Sequence, residues 1–183
     1  MGLSVVDLDL NYENSMVHVV ATANLQHLNV AGSTIGPLEE GREYEMRYWI
    51  AAELARRGYV RFREDECLSF AVLNKIHWRE TKLQVGLQLS ALPEQFYPKL
   101  RRYLASLRER LNVNSVFNEY AQATRLAKDI VNCRLKKIVN LAANPAGSTS
   151  AVSALTKEEQ FLFEEVKNVV AKWGREILKI DST

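Results

Sequence analysis

The sequence predicts an α+β protein, mostly α, in which a small N-terminal β domain precedes a helical bundle domain. Three observations predict it. Residues 1–40 alternate apolar and polar side chains between turn-forming residues. From Glu43 onward the apolar period becomes helical. Charge divides along the same line: residues 1–40 hold no Lys or Arg and carry a formal −5, whereas residues 94–137 hold ten basic and four acidic residues, a formal +6. Two domains follow, 1–40 and 41–183, the second interrupted by a flexible loop at 144–153.

The elements follow in order. Val6, Leu8 and Leu10 alternate with Asp7 and Asp9, and Val17, Val19 and Ala21 repeat the pattern after the turn-prone NYENS, which predicts short strands. AGSTIGP closes the region. Forty residues are few for an independent core, so the sheet is expected to lean on something else. The first helix is predicted from Glu43, whose carboxylate and that of Glu45 suit a helix N-terminus. It ends at Arg56-Arg57-Gly58, basic residues followed by a glycine suited to a left-handed cap. Between Tyr48 and Ala55 it holds one charged residue, Glu53, so it is apolar nearly all round and is expected to lie between the sheet and the bundle.

A second helix is predicted over Asp65–Trp78 and a third from Pro93, with Phe96, Leu100, Tyr103, Leu104, Leu107 and Leu111 on one stripe. The fourth, Ser115–Ala143, is long, and its spacing puts Tyr120, Thr124, Ala127, Val131, Leu135 and Ile138 on its buried stripe. NPAGSTSAVSA breaks the pattern. The last helix opens with a capping box, Thr156 reaching forward and Glu159 back. Its stripe is Leu162, Val166, Val169, Trp173, Ile177 and Ile180, with Phe161 off it.

Chemistry-bearing motifs are scarce. His18, His27 and His77 lack partners at metal-ligand spacing, and each is expected to be structural. Asp7 and Asp9 share a predicted strand face, which reads as solvated. There is no P-loop, no GxGxxG and no nucleophile elbow. Cys67 and Cys133 are far apart, outside any metal pattern, and read as reduced core thiols. No enzyme activity, catalytic residue, cofactor or metal is expected. No apolar run reaches the ~18 residues of a membrane helix, and the N-terminal residues lack the order of a secretory leader.

What remains is surface. Arg101, Arg102 and Arg108 on the third helix, with Lys136 and Lys137 on the fourth, are candidate phosphate contacts. They are interspersed with Glu109, Glu119 and Asp129 and lack an interleaved aromatic platform, so DNA contact is expected to be weak at most. Arg134 falls within the apolar stripe of its helix and admits two readings: its head snorkels outward, or it pairs with a carboxylate across an interface. Phe161 and Phe163 open the last helix as candidates for an association patch.

Four segments, in order, resemble the GINS complex subunits. IGPLEEGREYEMRYWIAAELARRGYVRF is similar to that family's Gly-Pro-acidic-Gly turn, helix and short basic extended run, with Tyr48 and Ile50 where two leucines stand in the family. LPEQFYPKLRRYL, DIVNCRLKKIVNLA and LTKEEQFLFEEVKNVVAKW resemble three later helices, and the likeness spans most of 35–175. The resemblance implies a non-enzymatic scaffold of the DNA replication complex supporting the MCM replicative helicase. The order of domains is that of the archaeal subunit related to eukaryotic Psf-two and Psf-three. It implies a hetero-oligomer, a 2:2 tetramer with a paralogue carrying its β domain last, and contacts with MCM and a RecJ-like or Cdc-type replisome protein. The β domain would be a docking module and the helical domain the assembly module. Tyr48, Trp49, Ile50, Leu54, Arg134, Phe161, Phe163 and Trp173 are the candidate partner-interface residues. The expected location is the cytoplasm, nucleoid-associated, away from membranes. A nucleic-acid-binding protein using the basic helices at 94–137 is the alternative.

Overall fold

The computed structural model describes residues 5–30, 32–82, 89–111, 114–144 and 149–178. Two compact units emerge, one of Val6–Leu68 and one running from Ser69 onward. The expected split at 40/41 therefore moves to 68/69. The reason lies in the sheet of the first unit. Its central strand β1 (Met16–Ala21) is flanked by β4 (Glu43–Arg47) and β5 (Val60–Phe62), both antiparallel to it and both beyond residue 40. A separate hairpin joins β2 (Leu28–Val30) to β3 (Ser33–Ile35).

Two sequence expectations fail in this unit. Residues Val5–Glu13 form a helix, α1, in place of a strand. Leu8 and Tyr12, four apart, are its buried positions, while Val6 and Leu10 are exposed. Five alternating residues fit either period, and burial selects the helical one. Asp7 and Asp9 therefore do not share a face. Likewise Glu43–Arg47 is strand, because Glu43, Glu45 and Arg47 point outward and alternate with half-buried Tyr44 and buried Met46.

Helix α2 (Tyr48–Arg56) follows β4 directly. Ile50, Ala51 and Leu54 bury against Val17, Val19 and Ala21 of β1, Met46 and Val60. On another side Tyr48 lies between Tyr12 and Phe62, with ring centroids 4.7 and 5.3 Å away. Its own unit thus covers much of the apolar girth noted in the sequence. Glu53 faces out and receives Arg56 at 2.9 Å and Arg57 at 2.7 Å, hydrogen bonds that pull its pKa down to about 2. The helix ends as expected. Gly58 takes φ +79°, its N–H donates to Ala55 O at 3.0 Å, and Tyr59 N–H donates to Leu54 O at 2.9 Å, a Schellman closure. A 3-10 turn at Glu64–Glu66 ends the unit, and its Glu66 meets Nδ1 of His18 at 3.1 Å.

The second unit holds α3 (Phe70–Lys82), α4 (Phe96–Glu109), α5 (Asn114–Ala143), the one-turn α6 (Thr149–Val152) and α7 (Lys157–Leu178). The 30-residue α5 is its axis and packs against α3, α4 and α7. Part of the expected loop at 144–153 is thus the helical turn α6, while residues 145–148 lie outside the described residues. The α4 stripe is close to expectation, with Phe96, Leu100 and Leu107 buried. The α5 stripe is not. Ala123, Leu126, Ala127, Ile130, Arg134, Lys137, Ile138 and Leu141 face inward, leaving Val131 and Leu135 exposed. Cys67 is exposed rather than in a core, and Cys133 is half-buried.

Candidate functional site: an internal charge cluster and an outward apolar face

The α5 stripe rotates because it carries two cations to internal carboxylates. Arg134 is 0% exposed, as is Glu80 of α3. One edge of the Arg134 guanidinium grips Glu159 of α7 through Nε and through Nη2 at 2.7 Å. Its Nη1 donates to Glu80 Oε1 at 2.8 Å and to Ser90 O at 2.9 Å. Lys137 Nζ holds the second Glu80 oxygen at 2.8 Å. Tyr97 of α4 donates its hydroxyl to Glu159 Oε1 at 2.7 Å, and Ser90 donates both its hydroxyl and its N–H to Glu80. Four helices meet at one satisfied network, and Arg supplies the planar fork such a junction requires.

Titration follows the geometry. Burial opposes the charge of Glu80 most strongly, yet hydrogen bonds from Lys137 and Ser90 and the nearby Arg134 charge outweigh it and hold its pKa below the ordinary value. Burial also opposes the charge of Arg134, and the Glu159 bonds more than restore it. Burial together with the Glu159 charge pushes the Tyr97 hydroxyl far up. Glu159 has a second task. Thr156 N–H donates to its Oε2 at 3.0 Å, and its own N–H donates to Thr156 Oγ1 at 3.3 Å, so the capping box of α7 forms reciprocally.

This placement corrects several candidates. Arg134 pairs with carboxylates, but those of its own unit. Lys137 is buried on Glu80 and offers nothing to a phosphate. Arg101 and Arg102 are half-buried, and Arg102 Nη1 donates to Pro98 O at 3.3 Å, whereas Arg108 and Lys136 are exposed. Ile50 and Leu54 lie inside the first unit's core, with Tyr48 and Trp49 half-buried around it. Phe163 is buried with Ile138, Leu141 and Leu155, while Phe161 is half-buried. Trp173 stands out at 62% exposed. With Val169, Val170, Ile177 and Leu178 it makes an apolar face on the C-terminal half of α7. Of the expected buried stripe of α7, Leu162 and Val166 pack half-buried against the core, Val169, Trp173 and Ile177 face outward, and Ile180 lies outside the described residues. Sequence reasoning missed Glu80, which sits between Arg79 and Thr81 with no local sign of burial.

Among the described residues no group of three or more His, Cys, Asp or Glu could hold a metal, and no helix is long and apolar enough to cross a membrane. The fold is a helical bundle preceded by a small β unit, and its distinguishing surface is an outward apolar helix face. The chain belongs to the GINS complex protein family: residues 67–178 match the Sld5 family, the GINS complex protein helical bundle domain. The match begins within two residues of Ser69, where the helical unit begins. Members are non-catalytic subunits of a DNA replication complex and assemble with other GINS subunits. No curated protein matches the chain.

Proposed function

We propose that this chain is the GINS subunit of archaeal type related to eukaryotic Psf-two and Psf-three, a non-enzymatic adaptor that supports the MCM replicative helicase at the fork. The observation that carries the reading is the family match over the helical unit, joined to a β unit that precedes it. Its partners on this reading are a paralogous subunit with the β domain last, in a 2:2 tetramer, then MCM and a RecJ-like or Cdc-type protein, in a nucleoid-associated cytoplasmic setting. The outward face of α7, centred on Trp173, is the assembly surface. An exposed Trp flanked by Val169 and Ile177 suits the centre of an interface, where such anchors dominate binding. The nucleic-acid alternative loses Lys137 to a buried ion pair and retains only scattered exposed cations.

The test is co-expression with the paralogous subunit. Trp173→Glu lies on an exposed position, so helicity should be unchanged while co-elution is lost. Full co-elution of that variant would overturn the α7 assignment. Failure of the unaltered chain to co-elute with any paralogue or with MCM would overturn the adaptor reading.

A further inference from the structure

We propose that β4 is an open docking edge that takes up an extended segment of a partner protein, alternately basic and apolar, as an added strand. The proposal deepens the docking reading of the β unit and rests on it. Strand β4 ends the sheet, whose order is β4-β1-β5. Ala21 N–H donates to Arg42 O, and Tyr48 N–H donates to Ser15 O, each at 2.9 Å. Residues 42, 44, 46 and 48 therefore turn their main chain toward β1, in keeping with the Val17–Met46 and Val19–Tyr44 pairs. The N–H and C=O groups of Glu43 and Glu45 and the N–H of Arg47 point off the sheet, and no strand pairing or loop hydrogen bond among the described residues uses them, whereas the Arg47 C=O opens the hydrogen-bond ladder of α2.

Beside this edge lies a cavity of about 500 Å³, lined by Met16, Ile35, Met46 and Ile50 and, on β4, also by Glu45 and Arg47. That volume falls within the usual range of binding pockets. Its far wall runs from Thr34 to Leu38. Gly36 shapes that wall: it takes φ +97°, and a Cβ there would stand 3.1 Å from Gln26 O.

The chemistry selects the occupant. A row of main-chain donors and acceptors is matched by another extended main chain, not by a compact ligand. Alternate side chains of the added strand would fall on the cavity side, where apolar groups fit. The others would lie beside outward-facing Glu43, which Arg63 approaches at 3.5 Å, and Glu45. Residues Val6–Leu68 hold eleven acidic and six basic residues, a formal −5, so those alternate positions call for Lys or Arg. The same charge opposes a second copy of the unit on this edge.

The test uses the full chain and a fluorescent peptide of about ten residues alternating Lys and Val, with a control N-methylated along one edge to remove its strand donors. Saturable binding is expected, about tenfold weaker for the N-methylated control and about tenfold weaker for Glu45→Pro, which deletes an outward N–H. The exposed Glu45→Lys is expected to weaken binding about threefold without touching the fold. Amide exchange at Glu43, Glu45 and Arg47 should slow on binding. Equal binding of the N-methylated control, no saturable binding, no change in exchange at these amides, or self-association through β4 would each overturn the proposal. Co-elution with the paralogous subunit, measured on the same preparations, separates the two readings. Failed peptide capture with intact co-elution sinks the docking edge alone.

Discussion

Arg134→Met is the sharpest probe of the helical unit. Methionine keeps most of the aliphatic length and removes the guanidinium. Glu159 then loses both arms of its fork and keeps Tyr97 and Thr156, while Glu80 keeps Lys137 and Ser90. Two carboxylates that are 0% and 3% exposed are left with a single buried cation. Breaking a buried pair from one side typically costs about 3–5 kcal/mol, because the remaining charge stays desolvated. With a urea dependence of about 2 kcal/mol/M, the unfolding midpoint should fall by about 2 M. The assay is urea unfolding followed by far-UV circular dichroism, repeated for Glu159→Gln and for the double variant. The glutamine side chain keeps an acceptor for Thr156 and sheds the charge, so the double variant should be more stable than the sum of the single losses implies, by about 1–3 kcal/mol. A midpoint shift below about 0.5 M, or strictly additive losses, would refute the view that the network is tightly coupled.

Three more expectations share this logic. The folded pKa of Glu80 lies below its ordinary 4.5, so its stabilising contribution is complete above that pH and is lost as pH falls through the lower folded value; Glu80→Gln should flatten the acid limb of a stability–pH curve. Gly58→Ala meets nothing within 4 Å, so its cost comes from a left-handed backbone alone, about 1 kcal/mol, read as faster amide exchange in α2. Deleting residues 1–34 removes β1 and leaves β4 and β5 without the strand between them. Protease should then cut rapidly within Glu43–Phe62, and persistent protection of that stretch would contradict the described sheet.

The sequence made some of this legible and hid the rest for physical reasons. Capping carries local chemistry, so the Thr156–Glu159 box and the Gly58 closure were readable from a few residues. So was the length of α5. The class of fold and the family likeness were also readable, because four motifs stand in order. Stripes were harder. In α5 the apolar spacing put Arg134 on the stripe with two readings open and left Lys137 off it as a surface cation; both face in, and Val131 and Leu135 face out. The partners that make this tolerable, Glu80 and Glu159, are 54 and 25 residues away from Arg134. No local pattern reports such a pairing. The Val5–Glu13 segment shows the opposite limit, since five alternating residues do not distinguish strand from helix until a neighbour selects Leu8 and Tyr12.

The sequence separations in the Arg134 junction also set an order of events during synthesis. Every strand of the sheet lies within the first 62 residues, so the β unit has all its parts before α5 exists. The helical unit does not. When Arg134 leaves the ribosome, Glu80 is already available, but Glu159 is still 25 residues behind. At about 5–20 residues per second the guanidinium waits about 1–5 s for its second carboxylate. During that interval α5 carries an inward cation that is only partly matched, so this helix cannot be sealed into its bundle until α7 arrives. Closure of the helical unit is thereby timed to the appearance of its last helix, the one that bears Trp173 on its outer side.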